Sequence, residues 1–193
     1  MGHSVKRPKE QKENLNRILR VALLTFSLAL FFTFLSEYFI VRTKSIVISI
    51  VFLVFIIFVH IIFDVIGIAA TAAEEAPFHA KASKKIKGAR ESYLMVRNAD
   101  KVANFCNDVI GDITGTIGGA LGISLARQIS EIFTGKELLI NILITSLIAA
   151  VTVASKGLGK KFAIERAEDV LEVAGIILYQ IEKNIKVKIL KDH

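Results

Sequence analysis

Tryptophan is absent from this 193-residue chain, proline occurs twice and cysteine once. The lone cysteine, Cys106, has no partner in the chain, which excludes an internal disulfide framework. No nucleophile–histidine–acid set, phosphate-binding glycine loop or His/Cys metal spacing occurs, so no enzyme is expected. Heptad runs, long repeats and low-complexity tracts are also missing. The net charge of +7 raises the question of nucleic acid, but no base-reading motif or aromatic-interleaved basic groove accompanies it. Nucleic acid is therefore not an expected partner.

The most informative scarcity is of charge within two long runs. Residues 21–41, VALLTFSLALFFTFLSEYFIV, hold one charged side chain, Glu37, near their end. Residues 45–63, SIVISIVFLVFIIFVHIIF, hold no acid or base except His60. A hydrocarbon core of ~30 Å needs roughly 20 apolar residues in a helix, and each run is long enough. The chain is 53% hydrophobic with a mean hydropathy of +0.54, and its apolar residues are gathered in blocks rather than dispersed at helical or strand period. It reads as an integral membrane protein whose first partner is the lipid bilayer. The first run follows a long basic lead and lacks a small-x-small cleavage site, so it is expected to be retained rather than removed as a signal peptide. The start MGHSVK has Lys6 where a myristoylation signal wants Ser or Thr.

Two weaker blocks follow, 102–126 and 138–154, giving an expected all-α fold with four transmembrane helices. Basic residues collect at the N-terminus, in 81–101 and just after Ser155. Four crossings with both termini cytoplasmic put all three clusters inside, and only the short RTK at 42–44 and the near-neutral 127–137 outside. The expected layout is a basic cytoplasmic N-terminus (1–20), an extra membrane helix (21–41), a membrane domain (46–155) and a cytosolic amphipathic helix (156–193) in a cell-membrane protein. Within the membrane domain, residues 74–101 are too polar to span. They read as a cytoplasmic interfacial helical hairpin broken near Gly88, with Pro77 in an early helical position. In the C-terminal helix, Phe162, Val170, Ala174, Ile177, Ile181 and Ile185 form the expected apolar face, free to pack on the interfacial pair or on a second subunit.

Polar residues inside the blocks are the candidate site. The third block opens with CNDVIGDITGTIGGALG, residues 106–122. Counting inward from Val102 places Asp108 ~9 Å and Asp112 ~15 Å deep, and counting back from Ala72 places Asp64 ~12 Å deep at 1.5 Å per residue. Three carboxylates thus share a level on two antiparallel helices, where an unpaired charge costs ~2.5–3.5 kcal/mol. No Lys or Arg lies in either span, leaving protons, water or a cation to compensate. Carboxylate, amide and carbonyl oxygens suit a hard ion, so Asp64, Asn107, Asp108 and Asp112 are the expected metal ligands, with Mg²⁺ the expected cofactor. The competing reading is hydrogen bonding between helices by protonated carboxyls. Gly111, Gly115 and Gly119 form overlapping small-xxx-small patterns, expected at a close helix contact in a homodimer. His60 is expected to be a buried helix-contact residue and Cys106 to be inert.

Three stretches carry a resemblance: DVIGIA at 64–69, KGAR at 87–90 and CNDVIGDI at 106–113. By their order, spacing and topology, residues 46–155 resemble the transmembrane domain of the CNNM and CorB/CorC proteins, implicated in magnesium efflux. That domain has three helices with an interfacial hairpin between the first two, and its first helix ends in Ser-x-x-Glu-x-Ala. A Gly-x-x-Gly-Ala or similar basic segment and then Gly-Asn-x-x-x-Asn follow. Asp64 stands at the family's serine and Gly67 at its glutamate. The resemblance implies a dimer with a dehydrated Mg²⁺ held between helices near Asp64, Asn107, Asp108 and Asp112. It makes the leading expectation divalent-cation binding or transport. The alternative is a non-transporting membrane interaction or scaffold protein acting as a helical dimer.

Overall fold

The computed structural model describes residues 22–34, 45–132 and 136–186, together with Leu19, Tyr38 and Leu190. Every regular element among them is helical. α1 covers Ala22–Phe34, and α2 covers Ile46–Ala72. Two short helices follow, α3 (Glu75–Ser83) and α4 (Ala89–Arg97). α5 (Ala99–Ala103) runs through a π-helical segment, Asn104–Ile110, into α6 (Gly111–Ser130). α7 (Glu137–Glu165) and α8 (Ala167–Ile185) are the last of the described helices.

Three stretches are long and apolar enough to cross a membrane: α2, the continuous Ala99–Ser130 and α7. Of the expected first span, α1 is the described part, and Leu28, Ala29 and Phe32 pack it against the bundle. Its remainder, with Glu37 and the 42–44 loop, lies outside the described residues.

α2, α6 and α7 pack on one another around Leu53, Ile56, Ile113, Ile117, Leu121 and Leu125. Ser49 and Gln128 tie the far end of this bundle, Gln128 Nε2 donating to Ser49 Oγ over 3.1 Å. A second core lies at the near end, where α2 meets α5, the π segment and α8, and α4 meets α8. It holds Ala69, Ala70, Phe78, Met95, Val102, Cys106, Ala163, Ala167, Leu171 and Ala174.

Two boundaries differ from the sequence reading. The helix that holds the apolar block 138–154 does not end at Ser155: α7 runs on to Glu165, because Gly157 and Gly159 do not break it. Gly159 faces α2, where a Cβ would lie 3.1 Å from Val65 Cγ2. The chain breaks instead at Arg166, whose N–H still reaches Phe162 O. The C-terminal helix therefore begins at Ala167, and its buried face also differs. Ala167, Leu171, Ala174 and Gly175 are buried, whereas Ile177, Ile181 and Ile185 are exposed and Phe162 sits exposed on α7. The reason is the closeness of α8 to α4. A Cβ on Gly175 would stand 2.6 Å from Gly88 O and 2.9 Å from Ser92 N, so small residues rather than large apolar ones make the contact. Ser92 Oγ donates within that contact to Leu171 O over 2.8 Å. Gly88, at φ 79°, turns the chain into α4 with its own backbone against Ile176.

Candidate polar layer at the near end of the bundle

Two contacts set the register between α2 and the third span. His60 meets Thr114 over 2.6 Å, and Asn107 lies against Gly67, where a Cβ would stand 2.9 Å from Asn107 Cγ. With the helices antiparallel, Asp108 falls near the level of Gly67, Asp112 near that of Ile62, and Asp64 between them. The shared level expected for the three acids is thus present.

α2 has 27 residues, ~40 Å of helix at 1.5 Å per residue, more than a hydrocarbon core of ~30 Å needs, and α5, the π segment and α8 surround its Ala72 end with protein.

The acids do not meet at a point. Asp108 and Asp112 are exposed and Asp64 is half-buried. Among the described residues no group of three His, Cys, Asp or Glu side chains is placed to hold a metal ion. Among the described residues of one copy, Asp64, Asp108 and Asp112 are thus not gathered into one cluster. The amide alone is buried in a way that leaves it wanting: Asn107 Oδ1 has no hydrogen-bond partner. It occupies the space a side chain at position 67 would fill.

The π-helical turn accounts for Asn107. Gly111 N–H reaches back five residues to Cys106 O, and the widened turn carries Asn107 toward α2 while Asp108 stays outside.

The three glycines expected at one close contact are divided. Gly111 is buried, with a Cβ position 3.7 Å from His60 Cε1. Gly115 and Gly119 have nothing within 4 Å. Gly118 and Gly122 instead make the intrachain contacts, toward Ile56 and Ile148. Gly115 and Gly119 share an exposed face with Asp112, Thr116, Ala120 and Ile123.

Two residues gain a role that the sequence reading did not give them. Lys156, assigned there to the cytosolic tail, lies in α7 close enough for its charge to act on His60, as do Asp64 and Asp112. A base from the fourth span thus joins the acidic level, which reading the second and third spans alone had missed. Thr114 is the other. Its Oγ1 lies 2.7 Å from Ile110 O and 3.1 Å from Gly111 O. Those carbonyls only accept, so the hydroxyl donates to them and His60 Nδ1–H donates to Thr114 Oγ1. Nε2 of the neutral ring then carries a lone pair, and it is buried without a partner. Nothing local in the sequence marks either Lys156 or Thr114 for these roles.

No family model, curated protein or solved structure matches the chain.

Proposed function

We propose that the protein is a membrane interaction protein that assembles through the exposed face of α6, in a cell membrane with both termini cytoplasmic. One observation carries this reading. The outward faces of α2 and α7 bear large apolar side chains, among them Val51, Phe55, Phe58, Leu139, Leu143 and Leu147. The outward face of α6 bears Asp112, Gly115, Thr116, Gly119 and Ala120. Small residues gain little from lipid but let a second helix backbone approach closely, and hydroxyls and carboxyls find partners across such a contact. A second copy is the occupant we favour, giving a homodimer.

A cysteine at Thr116, in a Cys106→Ser background, then forms a cross-linked dimer, whereas one at Phe58 does not. Equal cross-linking at the two positions, or a monomer at all concentrations in mild detergent, removes the reading. Labelling of cysteines at 43 and 90 from the two sides of sealed vesicles tests the topology. Accessibility of residue 90 from outside overturns it.

A second reading has a specific observation in its favour. Asp108 and Asp112 are exposed together, so two copies meeting there gather four carboxylates. Divalent-cation binding, with Mg²⁺ the ion, then belongs to the dimer. Mg²⁺ at a hundredfold excess over its dissociation constant stabilises the fold by ~2.7 kcal/mol. Asp108→Asn and Asp112→Asn each remove that shift. A melting temperature indifferent to tens of millimolar Mg²⁺, roughly the weak end of oxygen-ligand affinity, leaves the assembly reading alone.

A further inference from the structure

Residues 76–90 contain five bases and no acid. Two of the bases have acids beside them: Lys81 pairs with Glu172, and Arg90 lies 4.0 Å from Glu91. The other three, Lys84, Lys85 and Lys87, are exposed in the turn between α3 and α4, with no ion-pair partner among the described residues. Ile86, between them, is 51% exposed. Backbone bonds shape the turn, Lys85 N–H donating to Ala82 O over 2.9 Å and Ala89 N–H to Ile86 O over 3.1 Å. Lys85 has φ 55°, a left-handed conformation that favours glycine or asparagine over a long side chain. Three like charges are thus held side by side around an apolar tip, on backbone that is strained at one of them.

The place of this turn points to its partner. α8 does not run on from α7 but packs back on α2, where Leu171 and Ala174 share a core with Ala69 and Ala70. α4 lies along α8, and Gly88 closes the turn against Ile176, itself 43% exposed. The turn is therefore kept beside the last turns of a membrane-length helix. Anionic headgroups attract lysines at a membrane surface, lysine stems lie along apolar surface while their ammonium groups stay in water, and an isoleucine can enter between headgroups. Nucleic acid or an acidic peptide would leave that isoleucine in water. We propose that the α3–α4 turn docks on the bilayer surface, with Lys84, Lys85 and Lys87 on the phosphates of anionic lipid and Ile86 seated among the headgroups. The docking does not depend on the α6 dimer.

The test uses the full chain with Cys106→Ser and a bimane fluorophore on Ser83→Cys, an exposed position beside the turn. It is reconstituted into vesicles whose two leaflets have the same composition, so the orientation of the chain does not matter. The lipid is phosphatidylcholine, alone or mixed with phosphatidylglycerol, and a spin-labelled headgroup quenches fluorophores at the surface. Quenching is expected to be stronger with phosphatidylglycerol and to fall to the phosphatidylcholine level in 1 M NaCl, where the Debye length is about 3 Å. Replacing all three lysines (Lys84→Gln, Lys85→Gln, Lys87→Gln) removes the phosphatidylglycerol effect, and Ile86→Asn weakens it. The fluorophore on Glu168→Cys, at the exposed acidic start of α8, shows no such effect. Equal quenching in the two lipids, an effect that survives the triple replacement, or the same effect at Glu168→Cys overturns the proposal. So does release by inorganic phosphate but not by chloride of equal ionic strength, which would make the turn a site for free phosphate. If the triple variant does not fold, the salt dependence and Ile86→Asn decide.

Discussion

The two cores of this chain solve the same packing problem with different side chains. The membrane bundle is held by Leu53, Ile56, Ile113, Ile117, Leu121 and Leu125. The near-end core sets alanines among Phe78, Met95, Val102, Cys106 and Leu171, with Gly175 and Ser92 at its closest helix contact. In the first, lipid is as apolar as the helices, so association rests on van der Waals fit and on bonds such as His60–Thr114. In the second, expected from the sequence at the aqueous boundary, water would supply the hydrophobic driving force, and close backbone approach adds a hydrogen bond from Ser92 to Leu171 O. The membrane part tolerates loose fit, as the groove beside Gly115 and Gly119 shows, whereas the near-end core has room for no extra atom at Gly175.

The largest effect expected from that contrast is at Gly175. Its Cβ position lies 2.6 Å from Gly88 O, and backbone cannot step aside as a side-chain tip does. Gly175→Val is expected to cost about 4 kcal/mol, in the range reserved for severe overpacking, and to release α8 from α4. Limited proteolysis between Arg166 and Ile185, with unfolding followed by circular dichroism, checks it. Gly119→Val, with nothing within 4 Å in one copy, leaves fold stability unchanged. If the two substitutions cost the same, the contrast between the regions is false.

A matched pair sharpens it. Leu171 and Leu121 are both 0% exposed, one in each core. Leu171→Ala is expected to cost about 3 kcal/mol from lost transfer energy and a residual cavity. Leu121→Ala keeps the cavity part but loses little transfer energy in lipid, so about 1.5 kcal/mol is expected. Detergent titrations of the two variants under identical conditions decide, and a cost for Leu121→Ala at or above that for Leu171→Ala breaks the argument.

The same contrast explains what was legible in the sequence. Blocks of large apolar residues announce membrane helices directly, so α2 and α7 could be read from Ile46–Phe63 and Leu138–Ala154, and the Ala99–Ser130 helix more weakly from 102–126. The near-end core could not be read by that rule. Its contacts use Ala167, Ala174, Gly175, Gly88 and Ser92, and a search for large apolar periodicity finds Ile177, Ile181 and Ile185, which face outward. Of the candidate site, the common level of Asp64, Asp108 and Asp112 followed from helical rise alone. Their failure to converge did not, because it depends on a π-helical turn that sends Asn107 inward and leaves Asp108 outside. Lys156 stayed hidden because its segment reads as a cytosolic tail until α7 is seen to continue past Ser155.

A smaller effect is expected where the two regions join. A Cβ at Gly67 would stand 2.9 Å from Asn107 Cγ and 3.1 Å from Nδ2, but the obstacle is a side chain able to swing. Gly67→Ala is therefore expected to cost only about 1 kcal/mol. Asn107→Ala removes the obstacle together with a buried unpaired oxygen, so the double variant should be more stable than the sum of the singles by about that amount. Additive costs would place Asn107 elsewhere than against Gly67.

The smallest effect concerns the ion pair between Lys81 on α3 and Glu172 on α8, the polar link between those helices. Its side chains are 37% and 42% exposed, so water screens the attraction and ordering two long side chains offsets part of the gain. About 0.5 kcal/mol is the expected contribution. Lys81→Met should lower stability by that amount at low salt and by nothing measurable in 1 M NaCl, where the Debye length falls to about 3 Å. α8 should stay docked in either case, since Leu171, Ala174 and Gly175 hold it through contacts that salt does not weaken. A loss above about 2 kcal/mol, or release of α8 by salt alone, would make this a polar anchor well beyond the usual exposed pair. The near-end core would then depend on charge rather than on the close approach of small residues.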